Sequence, residues 1–178
     1  MPEKNSLNLK TLFHGRGKYI AVTVVVLAVN IALDRIGKAL ALRFLFGREP
    51  VYLLNNLVIL LYAENDGAFL SLGSLWPVWI KYIIFIGLPA AVCIAITVYG
   101  MFRETKMSRL IALSCVIGGG VGNLFDRLFN HFSVIDFLNF GIGGIRTGIL
   151  NIADLSVTFG VIALIILEFW PQKRSSPK

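Results

Sequence analysis

The sequence predicts an all-α membrane protein, four transmembrane helices with a small extracytoplasmic β platform, and three observations predict it. Hydrophobic residues make up 56% of the 178 positions, and the mean hydropathy is +0.75, too apolar for a soluble surface. They are bunched into runs long enough to cross a bilayer, instead of alternating with polar residues. Ten of the 17 Lys and Arg fall in three clusters: Lys4, Lys10, Arg16 and Lys18; Arg103, Lys106 and Arg109; Lys173, Arg174 and Lys178. An even number of crossings puts all three clusters on one side. By the positive-inside rule that side is the cytoplasm, and both termini lie there. The net charge of +7 is thus a topology signal and does not call for nucleic acid. The whole chain, 1–178, reads as one domain.

The first span is predicted over 19–40. Its apolar run from Tyr19 to Leu33 is followed by Asp34, Arg35 and Lys38 and then by more apolar residues. A cleaved signal peptide is the competing reading, because Ala39-Leu40-Ala41 resembles a cleavage site. Three charges ahead of that site argue against it.

The stretch 46–79 has a different texture. Short β-branched and aromatic runs, Val51-Tyr52-Leu53 and Leu57 to Tyr62, lie between turn residues at Arg48-Glu49-Pro50 and Glu64-Asn65-Asp66-Gly67. They read as short strands. Open strand edges cannot face lipid, so a β-rich extracytoplasmic platform is expected. Trp76, Trp79 and Tyr82 mark the interface where the chain re-enters.

The remaining spans are expected over 82–102, 110–128 and 152–170. The last two are joined by an extracytoplasmic loop over 130–150, whose Gly141, Gly143 and Gly144 make it a flexible turn or a gate. Gly118 and Gly122 share a helical face with Asp126 and read as a packing seam for a neighbouring helix.

Ionisable groups at the edge of a span are costly and therefore candidates for function. Asp34, Asp126, Asp136 and Asp154 fall at the same outer level of this topology. Asp154 opens a helix that Asn151 can cap, where the helix dipole favours a negative charge. Asp136 lies in an apolar stretch, Val134-Ile135-Asp136-Phe137, that desolvates it and raises its proton affinity. Two such carboxylates sharing one proton could activate a water and protonate a leaving amine. A structural polar network and an ion pathway remain open on the same residues. Asp126 beside Arg127, and Asp34 with Lys38 one turn on, read as ion-paired braces. Cys93 and Cys115 are isolated in spans, and His14 and His131 stand alone. No metal-ligand spacing is present, so a metalloenzyme is not expected.

Five segments, in order, resemble those of bacterial lipoprotein signal peptidase, the signal peptidase II family of aspartic peptidases. They are Asp34-Arg35-Ile36-Gly37-Lys38; Asn65-Asp66-Gly67-Ala68-Phe69; the run from Gly119 to Arg127 containing Gly120, Gly122, Asn123 and Asp126; Val134 to Phe137; and Asn151-Ile152-Ala153-Asp154. The resemblance implies a catalytic dyad of Asp136 and Asp154. It also implies substrate-contacting or site-shaping roles for Asn65, Asn123, Arg127 and Asn151, supported by Gly67, Gly120, Ala153, Asp34, Lys38 and Asp126. It further implies an endopeptidase in the bacterial cytoplasmic (inner) membrane with its site at the extracytoplasmic face. Such an enzyme removes the signal peptide of diacylglyceryl-modified prolipoproteins before the lipidated cysteine. The resemblance implies no metal or organic cofactor; the expected partners are those prolipoproteins, membrane lipids and globomycin-type inhibitors, and the expected state is a monomer. Gly37 departs from the family's Ser or Thr, and Leu150 from its Phe, which puts the fine support of the site in question. An inactive relative that only binds precursors, and a proton-coupled transporter, are the other readings. The transporter is disfavoured because the span centres lack charged residues.

Overall fold

The computed structural model describes residues 15–67, 73 and 75–169. The basic residues at Lys4, Lys10 and Lys173 to Lys178, together with His14, Ala68, Phe69 and Trp170, lie outside them. Helix α1 spans Gly17–Phe44, about 42 Å at the usual rise. It contains no proline, and its last turn closes where Leu45 N–H donates to Ala41 O at 2.8 Å. The charges at Asp34, Arg35 and Lys38 sit within this helix, which runs four residues past the predicted end at 40.

Strands β1 (Val51–Leu53) and β2 (Val58–Asn65) follow. Helix α2, Val78–Phe102, begins at the interface residues Trp79 and Tyr82, which are 65% and 54% exposed. Its second turn, Tyr82–Gly87, is a π-helix directly ahead of Pro89. Proline has no N–H and its ring excludes the carbonyl four residues back, so the ladder widens there. Helix α3 is Met107–Phe129 and helix α4 is Ile152–Phe169. All four helices are long and apolar enough to cross a membrane, and the large apolar side chains they leave exposed, such as Val25, Ile94 and Phe159, face where lipid would be.

The stretch 130–150 is not a free loop. It contains β3 (Val134–Ile142) and β4 (Ile145–Arg146), completing a four-stranded antiparallel sheet of order β1-β2-β3-β4. Strand β3 pairs with β2 in the register Ala63↔Asp136 and Asn65↔Val134, with a bulge between Leu60 and Ala63. Pairing satisfies the β3 backbone on one edge, and a bridge from Leu138 to Leu150 satisfies the other. Arg146 locks the hairpin, donating to Asn56 O at 2.8 Å and to the Asn139 side chain.

Helix α3 is central, and α1, α2 and α4 all pack on it. The glycine seam makes this possible. A Cβ on Gly118 would lie 2.8 Å from Asn30 Cβ, one on Gly122 would lie 3.0 Å from Asp34 Oδ2, and one on Gly119 would collide with the Ala153 carbonyl. Small residues let backbones approach where lipid offers no hydrophobic drive between helices. Below the acids, Ser156 ties α4 to Asn30 of α1 and to Cys115 O of α3 at 3.0 Å.

Candidate active site

Four elements converge at one end of the bundle. Strand β3 carries Asp136, β2 brings Asn65, α3 brings Asn123 and Arg127, and α4 opens with Asn151 and Asp154. Because Ala63 faces Asp136 and Asn65 faces Val134, Asn65 is the diagonal neighbour of Asp136 on the same face of the sheet. Asn65 Nδ2 donates to Asp136 Oδ2 at 3.0 Å, and Asn65 Oδ1 accepts from Gly67 N–H at 3.1 Å.

Asn151 is 0% exposed and joins the two acids. Its Nδ2 donates to Asp136 Oδ1 at 2.6 Å, and its backbone N–H donates to Asp154 Oδ2 at 3.0 Å. Its Oδ1 accepts from Asp154 N–H at 2.9 Å. The last two bonds form a reciprocal cap that fixes the first turn of α4. The Asn123 amide donates to Asp154 Oδ1 at 2.8 Å. Each acid thus receives two N–H donors, one per oxygen, and keeps lone pairs for a further ligand.

Both acids line a cavity of about 370 Å³. Asn65, Asn123 and Arg127 share its polar wall, and Pro89, Leu124 and Val157 its apolar wall. Asp136 is only 3% exposed. Burial pushes its carboxyl up to about 6 and the negative charge of Asp154 adds to this, against the donors Asn65 and Asn151. A carboxyl in that range exchanges a proton near neutral pH, which an ordinary aspartate does not.

The braces are arranged differently from the sequence reading. Asp34 and Lys38 do pair, at 2.8 Å. Asp126, however, does not pair with its neighbour Arg127. Its oxygens lie 2.5 Å from Arg35 and 2.7 Å from Lys38, and Arg35 closes the circuit to Asp34 at 2.7 Å. Consecutive helical residues point about 100° apart, so Asp126 faces α1 while Arg127 turns into the cavity. There Arg127 donates to Gly67 O at 3.0 Å and lies over the Phe85 ring. Arg35 was missed as a site residue, although its position beside Asp34 was the available signal.

Asp34 also reaches α4, accepting from Ala153 N–H at 3.1 Å, which anchors the turn that carries Asp154. Ala153 is buried in the α3–α4 contact. Gly120 lines the cavity and admits Cys93, whose Sγ would lie 2.7 Å from a Cβ there. Gly37, the departure from the family pattern, leaves room for Phe137, whose ring tip would lie 2.8 Å from a Cβ. The carboxylate of Asp34 is already satisfied by Arg35, Lys38 and Ala153, so no hydroxyl at position 37 is needed to hold it. Leu150, the other departure, acts through its backbone bridge to β3. Among the described residues no three His, Cys, Asp or Glu side chains gather as a metal cage.

The lipoprotein signal peptidase of Cronobacter sakazakii is 35% identical over 165 residues, 89% of this chain and 93% of the relative. That of Borrelia duttonii is 29% identical over 158 residues, 86% and 92% of the two chains. Two solved bacterial membrane enzyme structures share the fold, with TM-scores of 0.75 and 0.74 at 22% and 21% identity. The first covers 89% of this chain and 94% of the solved one, the second 86% and 96%. The family model described as signal peptidase (SPase) II matches residues 26–170, and with that coverage the chain belongs to the signal peptidase II family.

Proposed function

We propose that the protein is an aspartic endopeptidase that removes the signal peptide from diacylglyceryl-modified prolipoproteins, cleaving before the lipidated cysteine. The observation that carries the reading is the pairing of Asp136 and Asp154 through Asn151 at one cavity with a polar and an apolar wall. The family membership supplies the substrate class, since the relatives are lipoprotein signal peptidases.

Water held between the two acids gives a proton to whichever is the carboxylate, and its oxygen adds to the scissile carbonyl carbon. The other acid gives its proton to the carbonyl oxygen, forming a tetrahedral diol. Collapse breaks the C–N bond: the proton taken from water passes to the leaving amine, and one hydroxyl of the diol returns its proton to the acid that gave it, leaving a carboxylic acid product. The elevated proton affinity of Asp136 lets the pair hold one proton up to about pH 6, where an ordinary aspartate has lost it. Arg127 and Asn65 border the same cavity and offer N–H donors to the bound peptide. The apolar wall and the lipid-facing helices accept acyl chains and the apolar part of the signal peptide. No metal or organic cofactor takes part in this scheme.

The same reading places the protein in the bacterial inner membrane as a monomer, with Arg103, Lys106 and Arg109 cytoplasmic and the sheet and acids at the extracytoplasmic face. Incubating the purified protein with a diacylglyceryl-modified precursor, with and without globomycin, tests it. Cleavage that globomycin blocks and that Asp136→Asn and Asp154→Asn each abolish is the expected result. Full processing by either folded variant would overturn the dyad.

A further inference from the structure

The chemistry proposed above needs one acid of the pair to be the carboxylate, and the buried charges behind the cavity bear on which. Asp34, Arg35, Asp126 and Lys38 form a closed ring of two negative and two positive groups. Lys38 is 3% exposed, and an ammonium has three N–H bonds to place. One meets Asp34 Oδ2 at 2.8 Å, and another leaves the ring and meets Asn123 Oδ1 at 3.1 Å. The ammonium also lies 2.7 Å from Asp126 Oδ2 as an ion pair.

That oxygen also accepts from Asn151 Nδ2 at 3.1 Å. With two donors on one side, the Asn123 amide has a single allowed direction. Turning it over would aim its NH₂ at an ammonium and at a second NH₂, and would aim its oxygen at a carboxylate. The allowed direction points Nδ2 at Asp154 Oδ1, 2.8 Å away. Asp154 therefore faces a donor whose polarity is set by a buried cation. Asp136 has Asn65 and Asn151 as donors and no such relay behind them.

Resting on the peptidase reading, we infer that Lys38 is a positioning residue: by fixing the Asn123 amide it makes Asp154 the carboxylate that takes the proton from water, and leaves Asp136 as the acid that protonates the substrate carbonyl. The charged groups facing this relay are Asp34 and Arg35 from α1, Asp126 and Arg127 from α3, and Asp136 from β3.

A double-mutant cycle on processing of a lipidated precursor tests this, with kcat measured across pH. Lys38→Met is expected to lower kcat about tenfold at neutral pH with KM nearly unchanged, and to move the acid limb of the kcat profile up by about one pH unit. In an Asn123→Ala background the same change should cost less than twofold and move the limb no further. Equal losses in both backgrounds, or an unmoved limb, would overturn the inference. If Lys38→Met unfolds, the charge-balanced pair Lys38→Met/Asp126→Asn replaces it in both arms, with the same expectations measured against Asp126→Asn. A wild-type protein that cleaves nothing at any pH would instead sink the peptidase reading, which separates the two failures.

Discussion

Asn151 Nδ2 lies 2.6 Å from Asp136 Oδ1, a bond made by a side chain with no exposure at all. The same residue caps the helix that begins with Asp154. Removing it therefore disturbs both acids at once. Asn151→Ala should lower stability by about 2–3 kcal/mol, combining a lost cap with a lost hydrogen bond to a carboxyl group. Processing should fall at least a hundredfold. Asn151→Asp keeps a capping oxygen but sets a third carboxylate beside the pair, so it should recover stability without recovering activity. Thermal unfolding in detergent and the precursor assay check both.

The environment of Asp136 predicts a pH dependence of stability. Its carboxyl is raised from 3.8 to about 6 in the folded state, first by burial and then by the charge of Asp154. A raised carboxyl stabilises the fold below its unfolded value, and that stabilisation is lost as pH rises towards the folded value. Between pH 5 and pH values above 6 the wild-type protein should lose about 1.4 kcal/mol from this group, one pH unit of linkage. Asp136→Asn should lack that loss. Unfolding midpoints at pH 5 and pH 7.5 measure the difference.

At the α3–α4 crossing, Gly119 faces the Ala153 carbonyl so closely that a Cβ would collide with it. The obstacle is backbone, and α4 must move. Gly119→Ala should cost about 1–3 kcal/mol and displace Asp154, one residue beyond Ala153, so that activity falls further than stability accounts for. Gly144→Ala, with nothing within 4 Å, should leave both unchanged.

Removing one member of the charged ring should be worse than removing two. Arg35→Met strands two buried carboxylates on Lys38 alone and should destabilise by about 3 kcal/mol, the usual cost of an uncompensated buried charge. Arg35→Met/Asp126→Asn removes a charge of each sign and should recover more than half of that. Urea or heat titration in one detergent decides it.

The spans and the acids were legible because lipid permits so few patterns: long apolar runs, basic clusters and a handful of expensive carboxylates. The strands at 51–53 and 58–65 were legible from their β-branched and aromatic runs. Strand β3 was not. Asp136 and Asn139 interrupt its apolar residues, and Gly141, Gly143 and Gly144 give the region the composition of a loop. Its pairing with β2 is a long-range event that no local window carries. The Asp126–Arg127 brace was misread because adjacency in sequence was taken for adjacency in space, whereas neighbouring positions on a helix diverge. The partner of Asp126 comes from α1, roughly ninety positions earlier in the chain, a distance over which periodicity is silent.

The bond from Ala153 N–H to Asp34 Oδ1 joins the last helix to the first. A nascent chain carries Asp34, Lys38 and Asp126 into the bilayer well before α4 is made, and Asp154 emerges near the end of translation. The competent arrangement thus exists only once the fourth helix has docked against the first and third. A chain stopped short of residue 151 would carry Asp136 without Asp154, and Asp34 without the Ala153 N–H that it accepts.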